Sequence, residues 1–317
     1  MLPRWRRRVL AYRIIGEIPD GEQLLDWYRQ RFGALKRANL DGRDKALREM
    51  MRLLGRARKT VDGKDLIEIG TGWHPLLPVL FHGLGARTIL MTDTVRHVRG
   101  EFIEHVLDYC LGHSRQLAEI GGCDEDALKV RWSALRPGRR AWVDVWRDRG
   151  IAYRAPVDFS ESGLPAESAD MIFSNDCLEY IPVPALEAIV KESCRVLRPG
   201  GVIAHDIFVY DDLSIHDRQI PPWNFLCYSE EEWERIGNTR FHYQNRCRPS
   251  FYAGLVASAG LQIIHEERVL YETREEDLDR LILHPDFRAL PIDEIACSHY
   301  LLAAEKPGEP EASPSPR

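Results

Sequence analysis

The segment from Asp65 to Pro75 contains the residue types of a nucleotide-binding turn. It reads DLIEIGTGWHP, an apolar strand-like run followed by two glycines, Gly70 and Gly72. Glycine has no Cβ, so the backbone can turn sharply there and approach a ligand closely. Two classes of cofactor are bound by such turns. The dinucleotide pattern G-x-G-x-x-G needs a third glycine, and Pro75 occupies that position, which disfavours pyrophosphate binding.

Two histidines and an aspartate form a second group of residues with chemical potential. His205 and Asp206 lie in or just after the apolar run 202–204, and His216 lies in the loop that follows. Histidine is the side chain best matched to removing a hydroxyl proton at neutral pH, and a carboxylate can orient it. His205 is therefore the first candidate for a general base, with Asp206 as its partner and His216 as the second candidate. The alternative is that His205 is a hydrogen-bonded structural residue of a core strand.

Strand-like and helix-like segments alternate around these residues. The strand-like runs cover 66–69, 88–91, 171–173 and 202–204, and a further strand is predicted at 261–264 and a last one at 300–303. This alternation predicts an α/β fold with a mostly parallel sheet covered by helices. In such sheets ligands bind beyond the carboxyl ends of the strands, which is where the glycine turn and His205 would lie.

Three segments flank or interrupt the predicted main domain, which spans 61–305. Residues 1–60 have apolar residues at spacings of three and four and predict a helical N-terminal cap. Residues 97–150 are longer than an ordinary connection between strands and predict a helical insertion. Residues 306–317 carry little to bury and predict a disordered tail. A helix is predicted to start at Pro182 and Pro184 and to end at Pro199-Gly200-Gly201.

Five landmarks, taken in order, resemble those of class I S-adenosylmethionine-dependent methyltransferases. They are the first motif Glu68-x-Gly70-x-Gly72, Asp93 after the second run, Asp158-Phe159, the run from Ala169 to Asp176, and Leu197-Arg-Pro-Gly-Gly201. The resemblance covers about residues 60–210. It implies the Rossmann-like fold of that class, S-adenosylmethionine as the cofactor, and methyl transfer as the activity.

The resemblance also implies which residues bind the cofactor. It gives Asp93 to the ribose hydroxyls, because a carboxylate accepts two hydrogen bonds at once. It gives Asp158 to the adenine amine and Phe159 to the adenine ring. The full implied set is Glu68, Gly70, Thr71, Gly72, Asp93, Asp158, Phe159 and Asn175. Trp73-His74-Pro75 departs from the usual third glycine, and this bulkier turn could press on the methionine end of the cofactor.

A narrower resemblance covers residues 224–252. The pattern F-L-x-Y-S, then W, then Y-x-N-R-x-R-x-S, is similar to a branch of methyltransferases associated with polysaccharide or lipid-linked glycan biosynthesis. The chain has Phe208 where that branch has an aspartate, so the match is partial. Tyr243, Asn245 and Arg246 could form a clamp for the acceptor, since Arg binds phosphate or carboxylate and aromatic rings pack on sugars. The alternative is that Arg246 pairs with acidic residues and Tyr243 fills the core.

The expected activity is methyl transfer to a hydroxyl or carboxyl of a small molecule or glycan. Alternatives are a non-catalytic binding module with the same fold and an N-methyltransferase of a small metabolite. Nucleic-acid modification is disfavoured, because Ser174-Asn-Asp-Cys177 differs from the N-P-P-Y motif associated with base amino groups and the main domain is acidic. We expect no metal, since loop aspartates such as Asp211 and Asp212 usually face water.

The formal charge of -6 conceals an uneven distribution. Residues 1–60 hold 16 Lys and Arg against 7 Asp and Glu, and the other 257 residues hold 27 against 42. The basic N-terminus, with Trp5, is predicted to dock on the acidic domain, or to make weak contact with a membrane surface at most. The seven cysteines show no C-x-x-C pair, and no run of about 18 apolar residues is present, so a reduced, cytoplasmic protein is expected.

Overall fold

The computed structural model describes residues 2–31, 40, 44–271 and 282–308. The strands are β1 (Asp65–Ile69), β2 (Thr88–Thr92), β3 (Ile151–Arg154), β4 (Ala169–Asn175), β5 (Leu197–Phe208), β6 (Gln262–Leu270) and β7 (Cys297–Glu305). The helices before β5 are α1 (Arg4–Gly16), α2 (Gly21–Arg31), α3 (Asp44–Arg56), α4 (Leu76–Gly83), α5 (Gly100–Gly112), α6 (Ser114–Gly121), α7 (Glu125–Ser133), α8 (Trp142–Arg147) and α9 (Val183–Val196). The helices after β5 are α10 (Leu213–His216), α11 (Glu230–Ile236), α12 (Pro249–Ser258), α13 (Pro285–Arg288) and α14 (Ile292–Ile295).

The seven strands form one sheet in the order β3-β2-β1-β4-β5-β7-β6. Neighbours from β3 to β5 are parallel, whereas β7 is antiparallel to both β5 and β6. The chain order reverses between β1 and β4, and this is where a crevice opens beyond the carboxyl ends of the strands. The predicted α/β fold with a mostly parallel sheet is confirmed.

Helices cover both faces of the sheet because its strands are buried on both sides. One core cluster contains Leu66, Met171 and Val202 with side chains of α3, α4 and α5. The other contains Ile67 and Ile203 with side chains of α9 and α12. Side chains alternate between the faces along each strand, so consecutive residues of β5 point to opposite cores.

Three details differ from the sequence predictions. The edge strand β3 was not among the predicted runs, because only Ile151 of its four residues is buried. The pair Gly200-Gly201 does not end a helix: α9 ends at Val196 and the glycines lie inside β5, where Gly200 has a φ of 76°. Strand β6 extends to Leu270, through the consecutive polar residues 265–268, because it is a half-buried edge strand that pairs with β7 along its length.

The N-terminal helices lie on the main domain. Trp5 of α1 is 2% exposed and packs 6.2 Å from the Tyr228 ring and 6.0 Å from the Trp233 ring. Its backbone N–H donates to the Asp217 carboxylate at 3.0 Å. The N-terminal end of the basic segment therefore packs on the rest of the chain. Its contact with a membrane surface stays a prediction.

No helix in the described part of the chain is long and apolar enough to cross a membrane. Residues 309–317 of the predicted tail lie outside the described residues.

Candidate active site

The glycine turn follows β1 directly. Gly70 and Gly72 have φ values of 75° and 65°, in the left-handed region that glycine adopts without strain. A Cβ on Gly70 would collide with Cys177 Sγ. The backbone N–H groups of Gly70 and Thr71 donate to Thr92 O at 2.9 and 3.1 Å, which fixes the turn against the end of β2.

Asp93 lies beside the turn at the carboxyl end of β2. Its Oδ2 accepts a hydrogen bond from Gly72 N at 2.8 Å, and its Oδ1 accepts one from Val95 N at 3.2 Å. Each carboxylate oxygen has a second lone pair for a ligand hydroxyl. The structure therefore brings Gly70, Thr71, Gly72 and Asp93 together as one rigid rim of the crevice.

Glu68 is a buried carboxyl at this rim. It is 5% exposed, and its Oε2 has no hydrogen-bond partner among the described residues. Burial raises the pKa of Glu68 to about 8; a hydrogen bond with Thr71 opposes the rise and the charge of Asp93 adds to it. Asn175 Nδ2, at the end of β4, likewise has no partner in the described structure. An unsatisfied carboxyl and amide suit a ligand with a cationic amine and a carboxylate, which the methionine part of S-adenosylmethionine offers.

The two residues predicted for adenine lie in different environments. Asp158 is exposed, and its Oδ1 accepts hydrogen bonds from Ser160 N at 2.9 Å and Ser160 Oγ at 2.7 Å, which lower the pKa of Asp158. Phe159 is 3% exposed and belongs to the core cluster that contains Ile69. Contact of Asp158 and Phe159 with adenine stays a prediction.

Trp73 directly follows the second glycine of the turn and packs against neighbouring rings. Its ring lies 4.5 Å from the His97 ring and 5.5 Å from the Phe102 ring, and His74 lies 4.9 Å from Phe102. The bulky turn is therefore packed against α5 and the segment before it.

His205 lies inside the sheet. It is 2% exposed, its Nδ1 is 2.7 Å from Ser174 Oγ, and burial lowers its pKa to about 4. The predicted pairing with Asp206 is wrong, because neighbouring residues of a strand point to opposite faces. This buried position argues against His205 as the general base and favours the structural alternative.

Asp206 instead orients a histidine that the sequence did not reveal. Its Oδ1 is 3.0 Å from His299 Nδ1, and Asp176 Oδ1 is 3.9 Å from the same nitrogen. Burial lowers the pKa of His299, but the hydrogen bond and charge of Asp206 and the charge of Asp176 outweigh burial and raise it. Ligand atoms of the three residues lie within 4.8 Å of one another, a spacing compatible with a metal ion. The prediction of no metal stays a prediction.

The predicted clamp residues are engaged within the protein. Asn245 Nδ2 donates to Leu178 O and Ile181 O at 2.9 Å each. Arg246 donates to Phe225 O at 3.0 Å and to the Tyr228 carbonyl, and it pairs with Glu230 at 2.5 Å. These contacts favour a structural role for both, with backbone carbonyls as the main partners of Arg246.

A cleft of about 960 Å³ lies between the N-terminal helices and the glycine turn. Helix α1 forms one wall with Tyr12 and Ile15, and Trp73 and Tyr180 form the opposite side, at the carboxyl ends of β1 and β4. Tyr243, predicted to contact the acceptor, also lines the cleft. No sequence pattern predicted this cleft, because its walls come from segments that lie far apart in the chain.

Three residues with titratable side chains, Asp212, His216 and His242, line the cleft. Asp212 Oδ2 lies 3.3 Å from His242 Nε2, and His242 Nδ1 lies 3.2 Å from Gly237 O. Burial raises the pKa of Asp212, but hydrogen bonding to His242 and the charge of that ring outweigh it and lower the pKa. Burial and the charge of Arg8 lower the pKa of His216, with Asp212 opposing. Of the predicted catalytic residues His205, Asp206 and His216, only His216 lines this cleft.

The strand order and the glycine turn with Asp93 at the end of β2 define a class I methyltransferase fold. Residues 40–266 match the family model described as methyltransferase domain, and the chain belongs to this family. The predictions of a methyltransferase enzyme and of S-adenosylmethionine as its cofactor are confirmed. No curated protein matches the chain.

Solved structures with a similar fold include three methyltransferases. An S-adenosylmethionine-dependent methyltransferase from Mesorhizobium loti is 15% identical with a TM-score of 0.45, over 82% of this chain and 96% of its own. One from Methanosarcina mazei is 17% identical with a TM-score of 0.40, over 79% and 95%. The phosphoethanolamine N-methyltransferase 2 of Haemonchus contortus, in complex with phosphomonomethylethanolamine and S-adenosylhomocysteine, is 14% identical with a TM-score of 0.45, over 82% and 52%. At these identities and TM-scores, the acceptors of these proteins are no guide to the acceptor of this chain.

Proposed function

We propose that the protein transfers a methyl group from S-adenosylmethionine to a hydroxyl or carboxyl group of a small molecule or glycan. The observation that carries this proposal is the cleft of about 960 Å³ that meets the glycine turn at Trp73 and is lined by α1. Its volume is in the range of ligand pockets, and its aromatic walls suit a ring. A cleft of this size fits a small acceptor better than a protein or a nucleic-acid duplex.

The cofactor-binding part of the proposal rests on the rim of the crevice. Glu68, Gly70, Thr71, Gly72 and Asn175 would hold the methionine part and Asp93 the ribose, with Asp158 and Phe159 near the adenine. When bound, the cofactor supplies an electrophilic methyl group on its sulfonium. The chain's own residues then have to align the acceptor atom and exclude water.

His216 is the residue of the cleft best suited to take a proton from a hydroxyl acceptor. Its side chain is exposed to solvent, and partial burial together with the charge of Arg8 lowers its pKa, which favours the neutral imidazole that a general base needs. The Asp212–His242 pair beside it can receive or stabilise positive charge. An ionised carboxyl acceptor would need no base, and His216 would then only position it.

A glycan is the acceptor class that the narrower resemblance supports. Tyr12, Tyr180 and Tyr243 line the cleft, and aromatic rings pack on sugar faces. In this proposal Asn245 and Arg246 hold the loop that carries Tyr243 rather than contacting the acceptor.

Methyl transfer from labelled S-adenosylmethionine into an extract of the producing cells tests the proposal. We expect a labelled small molecule or glycan with the wild-type chain and none with Asp93→Ala. A product stable to mild base would identify an ether, and a labile one an ester. Label recovered only in protein or nucleic acid, or no label despite measurable cofactor binding, would contradict the proposal.

A further inference from the structure

We propose that the acceptor carries an anionic group, a phosphate or a carboxylate distinct from the methylated atom, which Arg8 and Arg240 bind in the cleft. This inference rests on the proposed function and narrows its acceptor class. Both arginines line the same cavity as His216 and Tyr180.

Arg8 lies on the cleft-facing side of α1. It is followed at spacings of four and three by Tyr12 and Ile15, which line the same wall. Its guanidinium stands 5.2 Å from the Tyr12 ring centre, and it makes no ion pair or hydrogen bond with the residues that the structure describes. An Arg fork held against an aromatic ring, with its donors open, is preorganised for a planar or tetrahedral anion.

Arg240 reaches the cleft from the loop between α11 and α12. Its guanidinium stands 5.4 Å from the Phe241 ring centre, and its nearest described acidic partner is Glu22, at 3.6 Å. Both members of that pair are more than half exposed, so the pair is weak. An anion in the cleft could therefore compete for Arg240.

Other arginines are engaged within the protein. Arg13, also on α1, donates to Arg235 O and Asn238 O. Arg248 is buried and donates to several backbone carbonyls, among them Cys297 O at 3.1 Å. Arg8 differs from them because it makes no hydrogen bond or ion pair with the residues that the structure describes.

Asp212 lines the cleft together with these arginines. Its Oδ2 lies 3.3 Å from His242 Nε2. The charge of Arg8 acts on Asp212 and His216, which shows that its guanidinium and the candidate base share one part of the cleft. Burial is the main cause of the lowered His216 pKa, and an acceptor anion that neutralises Arg8 would remove only the contribution of Arg8 to it.

The test uses the full chain, labelled S-adenosylmethionine and an extract of the producing cells, with anion exchange of the labelled products at pH 8. We expect the product to be retained by the resin. Phosphatase treatment that releases it identifies a phosphate monoester, and the mass of a product that stays bound distinguishes a phosphodiester from a carboxylate. A neutral or cationic labelled product would overturn the inference while leaving the proposed function intact.

The second measurement is the acceptor KM of arginine variants. The acceptor is the unmethylated precursor of the labelled product, in purified form. Loss of a charge-assisted hydrogen bond costs about 1.5–3 kcal/mol, so Arg8→Ala and Arg240→Ala should each raise the acceptor KM by roughly 10-fold or more. Cofactor affinity should not change. Arg7→Ala is the matched control, because Arg7 is exposed on the same helix and does not line the cleft. An unchanged KM in the Arg8→Ala/Arg240→Ala double variant would refute the inference. A complete lack of labelled small molecules, with normal cofactor binding, would remove the proposed function and this inference with it.

Discussion

The imidazole of His205 and the hydroxyl of Ser174 are hydrogen-bonded inside the sheet, with Nδ1 and Oγ 2.7 Å apart on paired positions of β5 and β4. We expect His205→Ala to lower the free energy of unfolding by about 2 kcal/mol, because a buried hydroxyl is left without its partner. The methyl-transfer rate at saturating cofactor should stay within about two-fold of the wild type. Urea unfolding and initial rates measure the two effects.

Ser174→Ala is the matched control for this prediction. It leaves the ring of His205 in place and removes the same hydrogen bond, so it should cost similar stability and also spare the rate. A large loss of rate in His205→Ala alone would restore His205 as a general base.

The pair Asp206 and His299 predicts a dependence of stability on pH. The pKa of His299 is raised in the folded chain, so its ion pair contributes stability fully below the unfolded pKa of about 6.5. That contribution is lost as the pH rises through the folded pKa. The stability difference between wild type and His299→Gln should therefore shrink between pH 6 and pH 9, as measured by urea unfolding.

Comparison with His299→Gln is needed because other buried groups titrate in the same range. Glu68, for example, has a pKa of about 8 and would itself change stability with pH. In a protein that carries Asp206→Asn, the stability difference caused by His299→Gln should vary much less with pH. A difference that stays constant with pH in both comparisons would show that the Asp206–His299 contact is not an ion pair.

Glu68 predicts release of a proton when the cofactor binds. Burial holds its pKa at about 8, so the carboxyl is mostly protonated at pH 7 in the free protein. A cationic amino group at the unpartnered Oε2 would favour the carboxylate and lower that pKa. Titration calorimetry with S-adenosylhomocysteine in buffers of different ionisation enthalpy should show release approaching one proton per site. Glu68→Gln should bind more weakly and abolish the release; equal release from both proteins would place the proton elsewhere.

Local patterns and long-range assembly were not equally predictable from the sequence. The turn at Gly70 and Gly72 was predictable because strand, glycines and helix start are consecutive, and Asp93 follows the next strand at a fixed place in the fold. The role of His299 was not predictable, because its partner Asp206 is 93 positions away in the sequence. Only the antiparallel register of β7 with β5 brings the two residues together. The prediction of His205 as a general base failed to account for burial. A histidine suggests a base, but the alternation of side chains along β5 places this ring inside the sheet.

The contact of Trp5 with the main domain predicts that the position of α1 controls acceptor binding in the cleft. Trp5 is 2% exposed and packs against the Tyr228 and Trp233 rings, so Trp5→Ala should remove about 3–5 kcal/mol of packing that holds α1. Because α1 carries Arg8, Tyr12 and Ile15 of the cleft wall, its loosening should raise the acceptor KM by more than about 10-fold, whereas the affinity for S-adenosylhomocysteine should be unchanged.

Leu10→Ala is the matched control, since Leu10 lies on the same helix and is 48% exposed. Kinetics with both substrates varied measure the effect. An equal rise in KM for Leu10→Ala would mean that general fraying of α1, rather than the Trp5 anchor, controls the cleft, and a loss of cofactor affinity in Trp5→Ala would mean that the cap also supports the glycine turn.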